Sequence, residues 1–196
     1  MKVTSTYNII KISCNAGETR VCRICDQKKE GDSMKDTISK MFELFDKHWA
    51  LVTSGNIDDF NTMTVSWGSL GTLWSKPIVT VYIKPCRYTH QYLEANDHFT
   101  VSFYDENYRR DLGLLGSTSG RDIDKVSRTS LTPVSCGDSV SFAEAKATIV
   151  CRKIYWKDFD QAVIPQDAMQ RYYATEAPHT MYIGEVEDII FTGEEE

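Results

Sequence analysis

Positive charge is in short supply: 22 lysines and arginines stand against 28 aspartates and glutamates over 196 residues, a net charge of −6. A chain of that sign repels a phosphate backbone, so nucleic acid is not an expected partner. Long apolar runs are also missing. A membrane helix needs about 20 consecutive apolar residues, and the stretch "YIGEVEDIIF" is interrupted by acids, so no membrane association is expected. The N-terminus lacks the compact apolar core and small-residue cleavage site of a secretory signal, which makes the cytoplasm the expected compartment. Four motifs are absent: no G-x-G-x-x-G opens a helix after a strand, no G-x-x-x-x-G-K-[ST] occurs, and neither does H-E-x-x-H or G-x-S-x-G. Dinucleotide-fold, P-loop, zincin and serine-hydrolase readings therefore lack their signatures. The six cysteines follow no disulfide-framework spacing. Cys22 and Cys25 make one C-x-x-C, but a closed zinc site needs four ligands and no second pair follows. Reduced thiols and no metal are expected.

What is present describes one ordinary globule, with 41% apolar and 26% charged residues. Residues 1–33 hold half of the cysteines and show no clear period, so they are set apart as an N-terminal extension or translated leader, with Met34 as a second start. The domain is expected over 34–196. In "DSMKDTISKMFELFDKHW", Ile38, Met41, Phe42 and Phe45 fall at i, i+3, i+4 and i+7, one apolar face of a helix, with Ser33 or Asp36 as its N-cap. Six stretches rich in β-branched and aromatic residues follow: "WALVTSG", "FNTMTVSWG", "IVTVYIK", "FTVSFYD", "ATIVCRKIYW" and "TMYIGEVEDIIF". Short helices are expected at "THQYLEAND", "RDIDKVSR" and "PQDAMQRYYA". That many strands point to a sheet closed on itself, a β-barrel decorated by helices.

Three clusters suit an anionic ligand. In "FNTMTVSWG", Thr62, Thr64 and Ser66 alternate with Asn61, Met63, Val65 and Trp67. The alternation fits either a half-solvated edge or a rim of hydroxyls and amides, with Gly68 and Gly71 admitting a ligand close to the backbone. In "KPCRYTHQYLEAND", Lys84, Arg87 and Thr89 gather where a strand meets a helix, whose free N–H groups favour a phosphate. In "GSTSGRDIDK", Gly116 and Gly120 permit an anion-binding backbone nest, Ser117, Thr118 and Ser119 offer hydroxyls, and Arg121 and Lys125 offer charge. Asp122 is expected to cap a helix, or with Asp124 to orient those cations. Each cluster also reads as a solvated turn, and only their coincidence favours a ligand.

The run "FNTMTVSWGSLGTLWSKPIVTVYIKPCRYTHQYLEANDHFTVSFY", then "LGSTSGRDIDKV" and "PHTMYIGEVEDI", resembles the flavin reductase-like family of FMN-binding split-barrel proteins, close to its flavoredoxin branch. The resemblance runs from about Phe42 to Ile190 in unbroken motif order. It implies a mainly β fold with peripheral α-helices, a six-stranded antiparallel split barrel of Greek-key topology, usually a homodimer holding FMN near the dimer interface. Carried onto this sequence, the isoalloxazine and ribityl chain would meet Asn61, Thr62, Thr64, Val65, Ser66, Trp67 and Gly68. The phosphate would meet Arg87, Tyr88 and Thr89, with Ser117, Ser119, Arg121 and Lys125 completing the cradle. His179 matches a histidine near flavin and nicotinamide, although Pro178 replaces the small or acidic residue usual before it. The implied activity is NAD(P)H-dependent flavin reduction, with NADH or NADPH as donor. Two alternatives remain open: a flavoredoxin-type electron carrier reduced by a redox protein, and a flavin-binding module without turnover.

Overall fold

The computed structural model describes residues 34–192, and the expectation for residues 1–33 lies outside the described residues. Helix α1 (Met34–Asp46) leads into β1 (Ala50–Asn56), β2 (Asp59–Val65), β3 (Gly68–Leu73) and β4 (Lys76–Ile83). Helix α2 (Tyr88–Ala95), β5 (His98–Phe103) and α3 (Arg109–Ser117) follow, then a two-stranded ribbon of β6 (Pro133–Cys136) and β7 (Ser139–Phe142). The chain ends with β8 (Ala147–Asp158), α4 (Gln166–Tyr172) and β9 (Thr180–Phe191).

The main sheet has seven strands in the order β2-β1-β5-β8-β9-β4-β3, every pairing antiparallel. Its two edge strands, β2 and β3, are consecutive in the chain and separated only by Ser66 and Trp67. A two-residue link reaches roughly 10 Å at most, so the edges must be brought together and the sheet curls into a barrel. The seventh strand, one more than expected, is β3: "GSLGTL" is glycine-containing and mostly exposed, with little of the β-branched signature.

Val52, Val79, Val81, Phe99, Val101 and Tyr182 fill the barrel, each at 0% exposure. A second apolar cluster, around Leu51, Leu112, Leu115 and Phe142, packs α3 and the ribbon onto the outside. Helix α1 differs from expectation. Phe45 is buried, whereas Ile38, Met41 and Phe42 are 46%, 55% and 76% exposed, because only the last turn of the helix reaches the sheet. A Cβ on Gly68 would sit 2.8 Å from Phe45 Cζ, so the task of Gly68 is to let that ring in rather than to admit a ligand. Gly71 has open space around it and no such requirement.

The "RDIDKVSR" helix is also corrected. It is a loop ending in a single 3-10 turn, Val126–Arg128, and the carboxylate accepting an amide there is that of Asp124, from Ser127 N at 3.2 Å, rather than that of Asp122.

Candidate functional site

Ser66 and Trp67 lie at the seam where the barrel closes, outside both the β1–β2 and the β3–β4 ladders. Their backbone groups are therefore not consumed by sheet pairing. Beside the seam is a groove of about 220 Å³, walled by Met63 to Trp67 from β2 and the link, by Tyr82 of β4, by Lys84 and Arg87 in the turn between β4 and α2, and by Tyr172 and His179. Tyr82 and Lys84 both face it because they lie two residues apart in extended chain.

Aromatic side chains form one end of the groove. Trp67 meets Tyr172 edge-on, with centroids 5.2 Å apart, and lies 5.2 Å from the His179 ring. Lys84 ties the segment after α4 to this wall: its Nζ donates to Tyr172 O at 2.9 Å and pairs with Glu176 at 2.6 Å. That hydrogen bond from Lys84 lowers the Glu176 pKa below the ordinary carboxylate value. Burial, helped by the charges of Lys84 and Arg87, pushes the His179 pKa down to about 4. The imidazole is therefore neutral at physiological pH.

Met63 and Arg87 also line a second hollow, of about 170 Å³, so the two spaces adjoin. The second is a cradle made by the start of α2, the end of α3 and the loop after it, with Arg87, Thr89, Ser117, Ser119, Asp122 and Lys125 among its walls. Arg87 is the N-cap of α2 and makes no side-chain capping bond; His90 N donates to Arg87 O at 3.1 Å, which leaves the Tyr88 and Thr89 amides open for an anion. Lys125 is only 4% exposed, with Nζ donating to Leu115 O at 2.8 Å and Thr118 O at 3.0 Å. Two of its three N–H groups thus cap α3, and one remains for a ligand. Burial, and secondarily Arg87, lower its pKa to about 8. Behind Asn61 and Gly120 lies a larger hollow of about 530 Å³, but three carboxylates, Asp58, Asp59 and Asp124, line it against the single Asp122 of the cradle, and carboxylates repel an anion.

Most of the residues singled out in the sequence come together here. Thr64, Val65, Ser66, Trp67 and His179 line the groove. Asn61, Tyr88, Thr89, Ser117, Ser119 and Lys125 line the cradle, and Arg87 lines both. Three residues are placed otherwise. Thr62 turns into the wall, its hydroxyl paired with that of Thr53 at 2.8 Å and donating to Val52 O. Gly68 packs on Phe45. Arg121 is drawn off the cradle: Nη1 donates to Cys86 O at 3.0 Å and the guanidinium lies 4.8 Å from the Tyr88 ring centroid. Arg121 thereby braces the loop that carries Arg87, and no ion pair joins it to Asp122 or Asp124 among the described residues.

Other residues hold the lining rather than the ligand. Asn61 Nδ2 donates to Thr89 Oγ1 at 2.7 Å, and a Cβ on Gly120 would strike the Asn61 amide oxygen, so the cradle wall is close-packed at that point. Met63, Tyr82 and Tyr172 were not anticipated. The alternation of β4 carries a signal for Tyr82, since Thr80, Tyr82 and Lys84 share a face. Tyr172 comes from a helix end that pattern does not orient.

Similarity to known proteins agrees with this architecture. The flavin reductase like domain matches residues 42–196. An uncharacterized protein of Pyrococcus abyssi is 27% identical over 146 residues, 74% of this chain and 73% of its own length. The fold is similar to that of the FMN-binding protein from Thermus thermophilus, with a TM-score of 0.59 and 21% identity over 73% of this chain and 69% of that one. It is likewise similar to flavoredoxin of Desulfovibrio vulgaris (Miyazaki F), with a TM-score of 0.58 and 22% identity over 74% and 69% of the two chains. Seam, groove and domain match together place the chain in one family: it belongs to the flavin reductase like proteins.

Proposed function

We propose that the chain binds FMN, with the phosphate in the cradle and the isoalloxazine in the groove, and that it acts as an NAD(P)H-dependent flavin reductase. The observation that supports this reading is the junction at Met63 and Arg87, where a hollow lined by anion-binding donors adjoins an aromatic-walled one. The donor set suits a phosphate: the Arg87 guanidinium, the Ser119 hydroxyl, the open N–H of Lys125 and the first-turn amides of α2. Bound FMN would supply the two-electron chemistry, accepting a hydride from a reduced nicotinamide. The protein's part is to hold, orient and exclude water. Arg87 and Lys125 fix the anionic end, Trp67 and Tyr172 wall off the planar end, and the free amides of Ser66 and Trp67 offer preorganised donors to charge that grows on the ring. No side-chain acid is required, in keeping with a neutral His179.

A second copy of the chain is proposed as partner. The exposed face of α1 (Ile38, Met41 and Phe42) is an apolar surface of the kind that marks an interface, and α1 packs on β3, which carries exposed Leu70. Trp67, itself 40% exposed, would then place the groove beside the homodimer contact.

The test is an anaerobic absorbance titration of the FMN-loaded protein with NADH, then NADPH. Bleaching of the flavin bands by either supports the reductase. Bands that persist until a ferredoxin-like protein donor is added favour the flavoredoxin-type carrier, and a protein that takes up no FMN rejects both.

A further inference from the structure

Building on the flavin-site reading, we propose that Tyr173 is a positioning residue: its phenol fixes His179 in the tautomer that carries its proton on Nε2 and presents that N–H donor to the groove. Tyr173 Oη and His179 Nδ1 are hydrogen-bonded at 2.9 Å. The direction of the bond follows from acid and base strength: a phenol O–H is a stronger donor than the N–H of a neutral imidazole, and an unprotonated imidazole nitrogen is a stronger acceptor than a phenol oxygen. The phenol makes no other hydrogen bond among the described residues, so this donation has no competitor within the protein. Nδ1 must then be the unprotonated nitrogen, and a neutral imidazole places its proton on the other. Burial raises the Tyr173 pKa and lowers that of His179, which keeps the phenol protonated and the imidazole neutral together.

The surroundings hold this arrangement in place. Lys84 anchors the chain on both sides of Tyr173, through Tyr172 O at 2.9 Å and Glu176 at 2.6 Å, and its Nζ lies 5.5 Å from the Tyr173 ring centroid. The imidazole is boxed by Trp67, Tyr173 and Phe159, with ring centroids at 5.2, 5.6 and 6.5 Å. Nε2 makes no hydrogen bond in the described structure, and it is not one of the buried unpartnered atoms, a condition met among the described residues only by Tyr104 Oη. It is therefore accessible, on a residue that lines the groove. The residue before His179 is Pro178, which has neither a polar side chain nor an amide proton to offer the ring. The phenol six residues upstream takes that role. An Nε2–H at this place suits a carbonyl acceptor, such as the carboxamide of a nicotinamide donor.

Long-range 1H–15N correlation spectra of the imidazole, assigned with His179→Gln, test the proposal in the FMN-free protein. The expected result is a single Nε2–H tautomer from pH 6 to 8. Tyr173→Phe, which removes only the hydroxyl, is expected to give mixed tautomers. In the FMN-loaded protein the same variant should lower kcat/KM for the nicotinamide donor about 3- to 10-fold, the worth of one neutral hydrogen bond, with FMN affinity unchanged. An Nδ1–H tautomer in the wild-type protein, or an unchanged Nε2–H tautomer in Tyr173→Phe, overturns it. The spectra need no turnover, so failure of the reductase reading would leave this result standing, and the reverse also holds.

Discussion

The cradle and the groove share Met63 and Arg87, yet they are built from different material. The cradle is assembled from helix ends and a loop: the start of α2, the end of α3, and a buried lysine whose ammonium is spent mostly on the carbonyls of α3. The groove is assembled from sheet: the seam after β2, the end of β4, and aromatic rings from the segment before β9. Helix ends leave polar groups unsatisfied by construction, so they can bind an anion with few side chains. A sheet satisfies its own backbone and leaves rings and alternating side chains to shape a slot. Binding strength should therefore reside mainly in the cradle, and the control of chemistry in the groove.

That division can be broken at its shared residue. Arg87→Ala removes a charge-assisted hydrogen bond worth about 1.5–3 kcal/mol, so FMN affinity measured by fluorescence quenching should fall about 10- to 100-fold. Turnover at saturating FMN should change far less. A large loss of kcat would instead put Arg87 in the chemistry.

Lys125 sharpens the comparison through pH. Its pKa in the unliganded protein is lowered to about 8, and a bound phosphate favours the charged form, so binding takes up a proton once the pH exceeds that value. FMN affinity should be nearly constant around pH 7, be about 2-fold lower by pH 8 and then fall more steeply, approaching about 10-fold per pH unit while only the free protein has lost the proton. Lys125→Met should remove this dependence above pH 8, and a slope that survives the substitution would assign it elsewhere. The groove has no matching response, since His179 titrates near pH 4.

The smallest effect is expected at Arg121. It acts on the ligand only by holding the Cys86 carbonyl and stacking on Tyr88, so Arg121→Ala should weaken FMN binding about 3- to 10-fold, the worth of an ordinary hydrogen bond. A loss as large as that of Arg87→Ala would mean that Arg121 swings into the cradle when the anion arrives.

Much of this site could be read before the structure, for reasons that differ between its halves. The β-branched strands and the α2 and α4 stretches follow local patterning, and the cations and hydroxyls of "GSTSGRDIDK" are recognisable by type. What the pattern lacks is direction. Period two states that Thr62 and Thr64 share a face but not what covers it: Thr62 pairs with Thr53 and Thr64 donates to Leu112 O of α3, so both hydroxyls are taken up by the protein although Thr64 also lines the groove. Helix α3 has no clear signal in the sequence because "RRDLGLLGS" contains two glycines, poor helix formers whose preference the tertiary packing of Leu112 and Leu115 overrides. The link between Tyr173 and His179 spans an irregular loop anchored by Lys84, and no periodicity encodes it.

The central claim is that one ligand spans both hollows, held by its anionic end. Parallel titrations with FMN and with riboflavin, which lacks the phosphate, test it most directly. FMN is expected to bind at least about 10-fold more tightly, by the worth of a charged hydrogen bond, with the gap narrowing in Arg87→Ala. Equal affinities for the two flavins in the wild-type protein would contradict it.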